Sequence, residues 1–164
     1  MKVLITGGAG YLGTVLTEEI LNRFPYAKVI VYDNLMYKQD GLFSFFKYPK
    51  DRFEFVYGDV RDKNCLLEQL QKLDKNNDYV IPLAAIVGFP ACARDERLAT
   101  AVNFEHVKYI VQSTKCRIIY PNTNSGYGVS DGEAHCTEET PLAPISVYGR
   151  TKCDAEEWVL GAGH

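Results

Sequence analysis

Three glycines at a spacing of three, Gly7, Gly10 and Gly13, lie in the stretch TGGAGYLG, directly after the apolar run Val3-Leu4-Ile5. Gly8, Gly10 and Gly13 also make a G-x-G-x-x-G pattern. Glycine lets a chain turn sharply and brings backbone N–H groups close to a pyrophosphate. A helix opening at the turn adds the positive end of its dipole. The motif has meaning only where a strand precedes it and a helix follows, and both are expected here. Asp33 ends the next apolar run, 20 residues after Gly13. A carboxylate at that distance accepts hydrogen bonds from the ribose hydroxyls of an adenine dinucleotide. It would repel a 2′-phosphate, and the residue after it is Asn34 rather than an arginine. The chemistry expected of this set is binding of NAD in preference to NADP.

The elements that must position these residues alternate in type. Strand-like runs cover residues 2–6, 28–32, 53–57, 78–84 and 116–120. Helical patterns follow Gly10 and cover 61–73, 95–114 and 147–160. After Gly10, the residues Leu12, Val15, Leu16 and Ile20 share one face at helical spacing. Leu66, Leu67, Leu70 and Leu73 make a second stripe, and Leu98, Val102, Val107, Ile110 and Val111 a third. Such alternation predicts an α/β fold, a doubly wound parallel sheet flanked by helices with right-handed crossovers. The less regular stretch 33–52 is aromatic and basic, and its rings are expected to pack rather than to recognise.

A chain of 164 residues suffices for one domain with a core. Its net charge of −3 gives no electrostatic case for nucleic acid or an anionic membrane. The uncharged stretch from Val80 to Ala93 is too short to span a bilayer and is broken by Pro82 and Pro90. The N-terminus reads as a strand, not a signal peptide. Five cysteines, an odd number with no C-x-x-C pair, predict reduced thiols in a cytoplasmic protein. His106 and His135 have no Cys, Asp or Glu cluster at ligand spacing, so no metal site is expected.

The motifs TGGAGYLG, YDN, YGDVRD, PLAA, NTNSGYG and SVYGRTK, all in order, resemble the extended short-chain dehydrogenase/reductase family, and within it the nucleotide-sugar epimerases and dehydratases. The resemblance covers nearly the whole chain. It implies a Rossmann-type fold and NAD as cofactor. Gly7, Gly10 and Gly13, with Tyr11 and Leu12 between them, would hold the pyrophosphate. Asp33 and Asn34 would face the adenosine ribose, and Asp59 and Val60 the adenine. Leu83, Ala84 and Ala85 would line the cofactor beside the fourth strand, and Asn103 would be a structural or active-site hydrogen-bond partner. Tyr148 and Lys152 would be the catalytic pair. Their spacing of four puts both side chains on one helical face. A tyrosine phenol is a poor base near neutrality, and a nearby ammonium favours the phenolate. Tyr148 would then take a proton from a sugar hydroxyl as hydride passes to the nicotinamide, while Lys152 would also hold the nicotinamide ribose. Thr123 would hydrogen-bond the reacting oxygen.

The chain also departs from that pattern. Sugar 4,6-dehydratases carry Asp-Glu after the threonine and use it to eliminate water; here Asn124 and Ser125 follow, and neither shuttles a proton as a carboxyl group does. This favours an epimerase, an isomerase of carbohydrate metabolism that oxidises a hydroxyl to a ketone and returns the hydride on the other face. A 4,6-dehydratase, a ketoreductase and a non-catalytic dinucleotide-binding module are the alternatives. Pro82 stands where histidine is frequent, and His106 where glycine is usual. Family members continue well past the Tyr-x-x-x-Lys helix into a portion that binds the nucleotide-sugar. Residues 1–164 are therefore expected to be the NAD-binding part, with little turnover alone. The expected partners are a nucleotide-sugar and a second copy of the chain, paired through helices 95–114 and 147–160.

Overall fold

The computed structural model describes residues 1–129 and 135–163. Five strands, β1 (Lys2–Thr6), β2 (Lys28–Asp33), β3 (Phe53–Tyr57), β4 (Tyr79–Pro82) and β5 (Arg117–Ile118), pair in the order β3-β2-β1-β4-β5. All four pairings are parallel. Ile5 stands opposite Val31 on one side and Ile81 on the other. The order reverses between β1 and β4. The carboxyl ends of strands at such a switch point are where open α/β sheets bind ligands.

Both faces of the sheet are covered, so its strands read as nearly continuous apolar runs. Leu4, Ile30, Val80 and Ile118 face one way, against α2 (Lys63–Leu70), α5 (His106–Ser113) and α6 (Val147–Gly161). Val3, Ile5, Val29, Val31 and Ile81 face the other, against α1 (Tyr11–Arg23) and a 3-10 turn at Gly41–Phe45. That turn lies in the irregular stretch. Its Leu42 and Phe45 are buried and Phe45 packs on Phe53, whereas Phe43 and Phe46 remain exposed.

Several boundaries differ from expectation. The expected strand at 78–84 is β4, four residues long, although Leu83 N–H still donates to Thr6 O at 2.9 Å. The expected 116–120 strand is reduced to β5. In α2, Asp62 accepts from the amides of Asn64 and Cys65, and this cap sets the helix start two residues later than expected. The 95–114 helix is α4 (Glu96–Thr100), a π-helical turn at Ala101–Glu105, and α5. Before it comes an unexpected helix, α3 (Phe89–Arg94), with Pro in its first turn, where the missing N–H costs nothing. Of the expected α1 stripe, Ile20 is buried and Leu16 packs on the core, but Leu12 and Val15 are exposed and the buried face is Gly13, Thr17, Ile20 and Leu21. The reason is steric. A Cβ on Gly13 would sit 2.5 Å from the Gly8 backbone, so the helix turns its smallest residue to the sheet and leaves Leu12 and Val15 outward.

Candidate active site

The site starts at the end of β1. Gly7 adopts φ +68°, and a Cβ there would lie 2.5 Å from the Ala84 backbone. Glycine is thus required twice, by conformation and by the close approach of the strand β4 exit. Gly7 N–H donates to Tyr32 O at 2.8 Å and Gly10 N–H to Gly7 O at 3.1 Å. Gly10 is the N-cap of α1 and offers no side chain to the first amides of the helix. Those amides, at Tyr11, Leu12 and Gly13, have no partner within the helix and stand at a cleft of about 470 Å³ that Gly7, Gly10, Tyr11, Leu12 and Gly13 help to line.

Asp33 holds this turn in place. Its Oδ2 accepts from Ala9 N–H at 3.0 Å and its Oδ1 from Leu35 N–H at 2.7 Å, and the side chain is buried. Each oxygen keeps a second lone pair for a ligand hydroxyl. Next to it, Asn34 Nδ2 donates to Asp59 Oδ2 at 3.1 Å. Arg61 grips the same carboxylate through NH2 at 2.7 Å and Nε at 2.9 Å. The hydrogen bonds from Arg61 hold the Asp59 carboxyl down to about 2. Tyr32 O–H donates to Asp59 O at 2.9 Å, and burial pushes the Tyr32 phenol up to about 12. Asp33, Asn34, Asp59 and Val60 all line the cleft.

Leu83, Ala84 and Ala85, on the exit from β4 beside the glycine turn, line it too, as do Tyr148 and Lys152 of α6. Ser146 caps α6 by accepting from Gly149 N–H at 3.0 Å. Lys152 is only 6% exposed. Burial pulls its ammonium down to about 8, against the opposing effect of Glu156. Its Nζ lies 4.0 Å over the Tyr120 ring.

Two expected residues are not among those that line the cleft. Asn103 is buried in the π-helical turn, which shifts the helix register there. Its Oδ1 accepts from Ile86 N–H at 2.8 Å, and its Nδ2 donates to Ile86 O at 3.0 Å and to Thr151 Oγ1 at 3.3 Å. It therefore ties the β4 exit to the dyad helix. Thr123 caps a 3-10 turn at Asn124–Tyr127, accepting from Ser125 N–H and donating to Ser125 Oγ at 3.3 Å. The cleft is lined instead by its neighbours Pro121 and Asn122. Met36, Tyr37, Gln39 and Val87 also line it. They come from irregular segments with no periodicity to mark them. His106 is buried, with Nε2 3.4 Å from Thr6 Oγ1 and no partner for Nδ1; burial pulls it down to about 4. Among the described residues, no group of three or more His, Cys, Asp or Glu gathers as a metal site, and no helix is long and apolar enough to cross a membrane.

The cleft fits an extended dinucleotide: uncapped helix amides and close-packed glycines at one end, Asp33 beside them, and a tyrosine–lysine pair at the other. Known proteins agree. The chain is 31% identical to the low-salt glycan biosynthesis protein Agl12 of Haloferax volcanii, over 95% of this chain and 50% of that protein. It is 29% identical to the CDP-paratose 2-epimerase of Salmonella typhi, over 98% and 52%. Among solved structures, UDP-glucuronic acid 4-epimerase from Bacillus cereus in complex with NAD matches with TM-score 0.83 and 26% identity, over 99% of this chain and 52% of that one. DesIV, a dTDP-glucose 4,6-dehydratase from Streptomyces venezuelae with NAD bound, matches with TM-score 0.84 and 27% identity, over 96% and 50%. The chain thus spans about half the length of these relatives. Residues 3–164 match the model of the NAD dependent epimerase/dehydratase family, and with the Rossmann-type sheet and its cleft this places the chain in that family.

Proposed function

We propose that residues 1–164 are the NAD-binding and catalytic part of a nucleotide-sugar epimerase. One observation supports this most strongly: the glycine turn, Asp33 and the Tyr148–Lys152 pair line a single cleft at the sheet's switch point. The amides of Tyr11, Leu12 and Gly13 would meet the pyrophosphate, Asp33 the adenosine ribose, and Lys152 the nicotinamide ribose. Asp59 and Val60 would border the adenine. Bound NAD would supply the hydride acceptor and donor. Tyr148 would take the proton from a sugar hydroxyl and give it back to the ketone oxygen, with the Lys152 ammonium favouring the phenolate. Thr123 would steady the reacting oxygen by exchanging its bond to Ser125 for one to the sugar. Asn124 and Ser125 supply no carboxyl pair for eliminating water, which favours epimerisation over dehydration. The setting we infer is cytoplasmic, with two copies paired through the 95–114 and 147–160 helices, where Trp158 and Leu160 are exposed.

Calorimetric titration of the purified chain with NAD and with NADP tests the first half of this reading. Saturable NAD binding with much weaker NADP binding is expected; binding of neither would overturn it. Mass spectrometry of sugar products tests the second. An unchanged mass supports epimerisation, and loss of one water would select the dehydratase.

A further inference from the structure

Lysine ammonium groups are strongly hydrated and are rarely buried without a partner. Lys152 is buried, and among the described residues its Nζ makes no ion pair. What it does have is the face of the Tyr120 ring, 4.0 Å away. A ring face attracts a cation, and more so where water is excluded. The ring is tied to the lysine's own turn of helix, since Tyr120 O–H donates to Lys152 O at 3.4 Å. One turn further along α6 stands Glu156, held by Asn122, whose Nδ2 donates to Glu156 Oε2 at 2.7 Å. The segment after β5 thus reaches the dyad helix at two points, Tyr120 and Asn122.

We propose that Tyr120, together with Glu156 braced by Asn122, is the positioning set that keeps Lys152 an ammonium and holds it at the cleft. Burial works against the charge and the Glu156 carboxylate works for it; the ring face 4.0 Å away adds to Glu156. The other groups around Lys152 bring no negative charge. Tyr120 is kept a neutral phenol by burial, and His106, facing it from α5, is kept neutral by burial. On α6 the Cys153 thiol is pushed up by burial, and Tyr148 is the group whose phenolate the Lys152 ammonium would favour in the proposed reaction. Tyr120 and Glu156 lie outside the cleft lining and act through Lys152, whereas Asn122, which braces Glu156, also borders the cleft. The inference rests on the reading of Lys152 as a dinucleotide-binding and catalytic residue.

The test follows Lys152 directly. Its side-chain NMR signal in the isotope-labelled chain, assigned by its loss in Lys152→Arg, is titrated with pH. Tyr120→Leu and Glu156→Gln should each lower the midpoint by about one pH unit, and Tyr120→Phe, which keeps the ring, should leave it in place. Calorimetry with NAD gives a second readout. A midpoint lowered from about 8 to about 7 should weaken NAD binding about fivefold near pH 8 and less than about twofold near pH 6. A purely structural role would weaken binding equally at both. An unchanged midpoint in both Tyr120→Leu and Glu156→Gln would overturn the proposal. If Tyr120→Leu does not fold, Glu156→Gln and Asn122→Ala decide. If the wild-type chain binds no NAD, the dinucleotide reading fails while the lysine titration still decides whether this set holds the charge.

Discussion

The two ends of the cleft are built on opposite economies of polar groups. At the glycine end the first amides of α1 await a ligand, but the described polar side chains are largely satisfied: both oxygens of Asp33, both of Asp59 and the Tyr32 hydroxyl have partners, while Gln39 Oε1 does not. At the dyad end they are not. Lys152 has a ring for company, and Asn122 Oδ1 and His106 Nδ1 are buried without partners. A satisfied end is rigid before any ligand arrives. An unsatisfied end carries a standing cost that the surrounding fold must offset. Binding and chemistry are therefore expected to respond differently to substitution and to pH.

Changes at the two ends can break or sharpen that contrast. In a protein that joins these residues to a nucleotide-sugar-binding portion, Tyr148→Phe should lower turnover of a nucleotide-sugar by about 10²–10⁴-fold, while NAD affinity and Tm stay close to wild type. A matching loss of Tm would show that the dyad end is structural after all. Gly7→Val should act the other way. It combines the left-handed backbone with a clash against Ala84, and a loss of about 3–4 kcal/mol in urea unfolding is expected. His106 has a folded-state value of about 4, below the ordinary 6.5 or so of the unfolded chain. Its contribution is therefore full above about pH 6.5 and is lost as pH falls toward 4, amounting to at most about 3 kcal/mol. His106→Gln should flatten that limb of the stability curve. The smallest effect is expected from Arg61→Ala. The Asp59 carboxyl is held down to about 2 by Arg61, so this stability exists above about pH 4 and is lost as pH falls toward 2. The pair is partly exposed, and after screening about 1 kcal/mol remains; an acid-denaturation midpoint unmoved by the substitution would remove Asp59–Arg61 from the contrast.

The sequence made the glycine end readable because its signals are local. A strand, a turn and a helix in succession, then a carboxylate at a fixed distance, need no knowledge of distant packing. The dyad end was readable only in part. The spacing of Tyr148 and Lys152 puts them on one helical face but does not single them out, and their role came from the family resemblance; Tyr120 and Asn122 sit on the exit from a two-residue strand, where no periodicity marks them. Met36 and Tyr37 reach the cleft from a loop in which Leu35 and Lys38 adopt positive φ, again without a pattern. On α1, Leu16 and Ile20 face the core as their spacing implies, but Leu12 and Val15 do not, because close packing of Gly13 on Gly8 rotates that end of the stripe outward. The helix α3 was missed because Gly88 and Pro90 look like breakers. Here Gly88 is the N-cap at φ +86° and Pro90 lies in the first turn.

One consequence of the Asp33 contacts concerns anyone who would re-engineer the cofactor preference of this chain. The obvious route to a 2′-phosphate is to replace Asp33 with a neutral or basic residue. Yet that carboxylate also clamps the amides of Ala9 and Leu35, so its loss loosens the very turn that must receive the pyrophosphate. A successful swap would have to brace the loop anew, for instance with a serine or asparagine able to take over one of the two amides, before any added arginine could be put to use.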